Sequence, residues 1–148
     1  MSMNRMIFVN LPVADLPASR AFYTGLGFGV NEMFSDDTAV SVVLSDTIVV
    51  MLLTRERFGD FVTGPVVDPR VATSSITCIR AESPAEVDDL VRRALTSGGG
   101  EWLPKMADGP MYGHSFTDPD GHVWEVLHMD MSAMAAIDGS AMPGLGAV

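Results

Sequence analysis

The side chains best equipped for chemistry lie toward the end of the chain, where Glu125 stands among His114, His122 and His128. Carboxylate and imidazole serve as general acids and bases and as ligands for divalent ions. Cys78, the only cysteine, adds one thiol. No glycine-rich phosphate loop and no Ser-His-Asp nucleophile arrangement is recognisable. What the carboxylate and imidazoles can do together depends on which of them share a strand face.

Gly113 to Met129 reads as a hairpin turned at Asp118-Pro119-Asp120-Gly121, with proline and glycine placed for a type I turn closed by a glycine bulge. A two-residue loop would set His114 opposite Glu125. A three-residue loop sets Ser115 opposite Glu125 and His114 opposite Val126. The second register puts Phe116 and Trp124 together on a helix-packed face and turns Ser115, Val123, Glu125 and Leu127 the other way. His114 then points away from Glu125 and reads as a hydrogen-bonded structural residue. His122, beside the turn, is expected in solvent, and His128 near the strand end is given no function. Cys78, in mid-strand without an adjacent base or helix start, is expected to be buried and inert.

These positions require a scaffold, and the chain spells one out twice. Met6 to Val13 is apolar and β-branched, as strands are. Asp15 offers a cap, Pro17 sits in the first turn, and Ala18 to Leu26 continues as a helix with Ala18, Ala21, Phe22 and Leu26 on one stripe. Thr38 to Leu44 and Thr47 to Leu53 come next, turned at Ser45-Asp46. The order then recurs: a strand at Ser74 to Ile79, then a capping box at Ser83-Pro84-Ala85-Glu86. A helix striped by Val87, Leu90, Val91, Ala94 and Leu95 succeeds it, stopped by Gly98-Gly99-Gly100. Strands at Glu101 to Met106 and Gly113 to Met129 complete the second round. Arg55 to Ala72, bearing Phe58 and Phe61, reads as a linker between the halves. The Met-, Ala- and Gly-rich stretch from 131 to 148 is expected to be loose or packed against a partner chain.

The bulk properties narrow the function. The chain has 148 residues, enough for one domain with a substantial core. A net charge of −10 argues against a phosphate-backbone partner, so nucleic acid is not expected. The longest apolar run, Ile48 to Leu53, is too short to span a bilayer, and the start lacks a signal-peptide core. One cysteine excludes an internal disulfide, which points to a cytoplasmic setting.

Val13-Ala14-Asp15-Leu16, Phe22-Tyr23-Thr24-Gly25-Leu26-Gly27-Phe28 and Asp118-Pro119-Asp120-Gly121-His122-Val123-Trp124-Glu125 occur in this order. With the internal repeat they cover about residues 6 to 130, and on them the chain resembles the vicinal oxygen chelate superfamily. That group includes glyoxalases, extradiol dioxygenases, epimerases, fosfomycin-modifying transferases and bleomycin-resistance proteins. The resemblance implies an α+β fold of two βαβββ modules, here 6–54 and 73–129 with linker 55–72, curling an open mixed sheet into a cup. It also implies a homodimer. Enzymes of the group hold a divalent metal with side chains from the first and fourth strands of each module. On this chain those positions fall on Phe8, within Val50 to Leu52, on Ser74 and on Glu125. Only Glu125 is a ligand type, so no metal cofactor of the family kind is expected.

What remains is a predicted small-molecule pocket. Strand alternation turns Phe8, Asn10 and Pro12, and Ser74, Ile76 and Cys78, toward the cup, where Met51, Ser115 and Glu125 join them. Mostly apolar walls with a few polar groups suit a small, partly apolar ligand. The alternatives are a divergent lyase or dioxygenase using Glu125 as base or metal ligand, and a filled cup in which Glu125 pairs with Arg5 or a neighbouring donor. The expected partners are therefore a small molecule and a second copy of the chain.

Overall fold

The computed structural model describes residues 3–132. The stretch from 133 onward, for which the sequence suggests loose or partner-packed structure, lies outside them. Two mixed sheets form, each built by the same sequence of moves. In the first, β1 (Ile7–Val13) leads through α1 (Leu16–Gly25) to β2 (Gly29–Asn31), a 3-10 turn at Glu32–Phe34, β3 (Ala39–Val43) and β4 (Ile48–Thr54). The strand order is β1-β4-β3-β2, with β1 parallel to β4 and the other pairs antiparallel. A short helix, α2 (Arg55–Gly59), opens the linker between the halves. In the second sheet, β5 (Ile76–Arg80) leads through α3 (Pro84–Thr96) to β6 (Gly100–Glu101), β7 (Met106–Asp108), β8 (Met111–Thr117) and β9 (Val123–Met129). Its order is β5-β9-β8-β6, β7 also pairs with β8, and β5 runs parallel to β9.

Local chemistry starts each helix. Asp15 caps α1 by accepting from the Ala18 amide at 3.0 Å, and Ser83 caps α3 by accepting from Glu86 at 3.1 Å. Of the stripe expected on this helix, Phe22 and Leu26 are buried, while Ala18 and Ala21 face water and Leu16, Ser19 and Tyr23 turn inward instead. The cause is polar. Ser19 turns inward because its hydroxyl donates to Asp120 Oδ2 at 3.3 Å, a partner that apolar periodicity does not reveal. On α3, Val87, Leu90, Val91 and Ala94 are buried as expected, but Leu95 is 38% exposed.

One core joins both halves. Phe22 and Tyr23 of α1 meet Phe116 and Trp124 of the second sheet, with ring centroids 6.0 Å and 5.9 Å apart. Under these rings lies a buried polar network. Tyr23 donates its hydroxyl to Asp118 Oδ2 at 2.7 Å and accepts from Trp124 Nε1 at 3.0 Å. Asp120 Oδ1 accepts from the Ala14 amide at 2.8 Å, tying the turn of the second half to the end of β1. Burial pushes the Asp118 carboxyl up despite this hydrogen bond and the nearby His122, and pushes the Tyr23 phenol well above its ordinary value. Such groups are tolerated inside only because each is bonded.

The hairpin that carries Glu125 has the three-residue loop. Asp118 N donates to His122 O at 3.0 Å, Gly121 N to Asp118 O at 3.0 Å, and Gly121 takes φ +100°, where a side chain would be strained. Ser115 therefore pairs with Glu125, His114 with Val126 and Phe116 with Trp124.

Candidate functional site

Register lines up one row of side chains across each sheet on the face away from the helices. In the second sheet the row is Cys78, Glu125, Ser115. In the first it is Asn10, Met51, Ser41. The loops Val43 to Val49 and Thr117 to Val123 have equal length, so Met51 is the structural counterpart of Glu125 and Asn10 that of Cys78. Phe8 corresponds to Ile76 on β5 by the same alignment. Ser74 is exposed and lies before β5, because that strand begins two residues later than the sequence suggested.

The expected site residues consequently divide between two cavities. A pocket of about 290 Å³ holds Glu125, Ser115 and Cys78 among Leu103, Pro104, Met106 and Leu127. A second, of about 280 Å³, lies under the linker and holds Asn10, Pro12 and Ser74 beside Phe58 and His122. Phe8 and Ile76, 55% and 42% exposed, line neither, and nor does Met51. Glu125, Ser115 and Cys78 thus share one hollow, and Asn10, Pro12 and Ser74 another.

In the first pocket, polar groups are scarce. Ser115 is buried, and its Oγ accepts from the Leu103 amide at 3.0 Å. This hydroxyl is therefore spent on holding the loop after β6, whose Leu103 and Pro104 form the pocket wall. Glu125 is half-buried, and its Oε1 has no hydrogen-bond partner among the described residues, Arg5 included. Withdrawal from water pushes its carboxyl above the ordinary value. An unpartnered carboxylate oxygen at an apolar wall is costly, which makes it the natural anchor for a donor brought by a ligand.

The remaining candidates are engaged elsewhere or placed differently than expected. Cys78 is exposed rather than buried, because β5 is a sheet edge. Partial withdrawal of its thiol from water, and then the Glu125 carboxylate beside it, keep it protonated above its ordinary range. His122 is partly buried, not free in solvent: its Nε2 makes a 2.8 Å hydrogen bond with Pro12 O across the two halves. His128 Nδ1 bonds Ala81 O at 3.2 Å, and His114, paired with Val126, contributes to the lining of the Glu125 pocket. The wall residues Leu103, Pro104 and Met106 were not singled out by the sequence: the strand expected over Glu101 to Met106 is a loop from 102 to 105, and β7 begins only at Met106.

The donor set can be weighed against the metal that such folds carry in enzymes. Of the four positions, Phe8, its counterpart Ile76 (where the sequence had placed Ser74) and Met51 offer no N or O side-chain donor, and only Glu125 offers a carboxylate. Among the described residues no three His, Cys, Asp or Glu side chains gather to hold an ion. These residues do not fit a divalent ion of that kind.

Two mixed sheets, each built from a strand, a helix and further strands in the same order, define the fold class. The chain belongs to the glyoxalase/bleomycin resistance protein/dioxygenase superfamily, whose family model matches residues 5–126. No curated protein matches its sequence. Among solved structures it is similar to hypothetical protein SA1046 from S. aureus, with 25% identity and TM-score 0.72 over 86% of this chain and 95% of that one. It is similar in fold to lactoylglutathione lyase from Agrobacterium tumefaciens, with 18% identity and TM-score 0.63 over 86% and 95%. The bleomycin resistance determinant encoded on transposon Tn5 matches with 21% identity and TM-score 0.54 over 84% and 98%.

Proposed function

We propose that the pocket around Glu125 binds a small, partly apolar molecule without a metal ion, the ligand's donating group meeting the Glu125 carboxylate. The observation that carries this reading is the unpartnered Oε1 of Glu125 in a largely apolar wall that includes Leu103, Pro104, Met106 and Leu127. Apolar walls supply affinity, and one directional polar group supplies orientation. A thermal-shift screen of the intact protein against small amines, neutral donors and divalent metals tests it, since a ligand that binds only the folded form raises the midpoint. Midpoint rises with donor-bearing apolar compounds, and none with metals, are expected. Stoichiometric Mn, Fe, Ni or Zn in protein purified without chelator would replace this account with the metal-dependent lyase or dioxygenase reading.

The same proposal includes a homodimer in the cytoplasm. Strands β1 and β5 are sheet edges, and Ile7, Phe8 and Ile76 on them are exposed. Unpaired edges with apolar side chains invite a second copy. Light scattering is expected to return twice the chain mass, and a monomer mass refutes the pairing. The single cysteine supports a reducing compartment. No helix among the described residues is long and apolar enough to cross a membrane.

A further inference from the structure

Between α2 and β5 the linker runs through residues 60–75 without helix or strand. In a compact domain a loop longer than about 15 residues with no structure of its own is uncommon and usually functional. This one is held as an arch. Arg55 Nη2 donates to Val66 O at 2.7 Å, and Arg70 Nη2 donates to Pro119 O at 2.7 Å. At Gly121 a Cβ would lie 3.1 Å from Arg70 Cγ and 3.3 Å from Arg70 N, so the far end of the arch rests on the bulge glycine between β8 and β9. Beneath the arch lies the hollow of about 280 Å³.

Its lining joins two chemistries. Phe58, Pro65 and Val66 are apolar, whereas Thr73, Ser74 and Ser75 bring three consecutive hydroxyls. Those hydroxyls make no hydrogen bond among the described residues, so the fold does not consume them. His122 Nε2 meets the Pro12 carbonyl, which only accepts, so Nε2 carries hydrogen and the neutral ring keeps Nδ1 as an acceptor. Among the described residues no Asp, Glu, Lys or Arg lines this hollow, in contrast to the pocket around Glu125. We propose that the hollow under the linker is a second binding site, separate from that of Glu125, for an uncharged flat ring compound bearing both a hydrogen-bond donor and an acceptor. A charged ligand would shed water here without meeting a counter-ion, which is costly. Hydroxyls donate or accept as the ligand requires, because each can rotate. Phe58 supplies a face for a ring. The volume is at the small end for such sites and suits one ring with a short polar substituent.

Benzamide, benzoate and benzylamine share one ring and differ in charge. Titrating each into the isotope-labelled full chain at neutral pH reads both hollows at once through the backbone amide signals. Benzamide is expected to shift the amides of Ser75 and His122 saturably, and the two charged compounds to do so about tenfold more weakly. Ser74→Trp, at an exposed lining position, narrows the hollow, and Phe58→Ala removes an apolar wall. Each should weaken benzamide at Ser75 and His122 about tenfold. The ligand-free amide signals of Glu125 and Leu127 should stay in place, which shows the fold intact. Absence of saturable shifts at Ser75 and His122, or benzamide affinity unchanged in either variant, overturns the site. Tighter binding of benzoate or benzylamine there overturns the ligand class. Shifts at Glu125 and Leu127 report on the other pocket, so the two readings fail separately.

Discussion

Replacing Glu125 by glutamine separates an anchor from a strut. The substitution keeps size and one acceptor while removing the charge. In the folded chain, withdrawal from water raises the Glu125 carboxyl above its unfolded value. The folded state therefore holds this proton more tightly than the unfolded one. Above the raised folded value the ionised group costs stability, and the cost fades as pH falls through that value to below the ordinary carboxyl range. Glu125→Gln should accordingly stabilise the protein at pH near 8 and change nothing at pH near 4. Only one oxygen is shut off and the residue is half-buried, so the gain is at most about 1 kcal/mol. For a chain of this size that is a rise of roughly 3 °C in melting temperature. A ligand whose donor meets the carboxylate should bind Glu125→Gln more weakly by about 1.5–3 kcal/mol, ten- to a hundredfold or slightly more. Thermal melts at both pH values and titration with a screen hit supply the two readouts. A variant that melts lower at every pH yet binds equally well would make Glu125 a structural residue and remove it from the site.

Further substitutions test the scaffold. Tyr23→Phe deletes a hydroxyl that serves both Asp118 and Trp124, and leaving these buried groups unsatisfied should cost about 2–4 kcal/mol in chemical denaturation. Ser115→Ala should cost only about 1 kcal/mol but free the Leu103 amide, so hydrogen exchange at Leu103 should quicken and ligand affinity fall with the loosened wall. Gly99→Ala would set a Cβ 2.5 Å from Thr117 O and 2.9 Å from Ala94 O, and with backbone on both sides the loss should reach about 3 kcal/mol. A denaturation midpoint unchanged from wild type would refute that packing.

The register that places Glu125 beside Ser115 was legible in the sequence, because the constraints on it are local. The Asp118-Pro119-Asp120-Gly121 turn dictates its own loop length, and strand alternation carries that choice to Glu125 and Ser115 in one step. Caps at Asp15 and Ser83 announce the helices for the same reason. The short strand β2 escaped notice, and the single strand expected over Glu101 to Met106 is two short ones, β6 and β7, with a loop between, since two or three residues display no periodicity. The buried Ser19 escaped because its partner, Asp120, lies far along the chain.

The sequence by itself determined the repeated order of elements, the register of the last hairpin and the lone carboxylate facing away from the helices. Each stems from side-chain period and turn chemistry, which act over a few residues. Only the tertiary structure decided that Ser115 spends its hydroxyl on Leu103 and that Cys78 sits at an exposed edge. It alone decided that His122 bonds Pro12 and that Asn10 and Ser74 line a hollow apart from Glu125. Those outcomes depend on which distant segments come to share a surface. Such meetings are fixed by packing around the common core of Phe22, Tyr23, Phe116 and Trp124, and no local pattern encodes them.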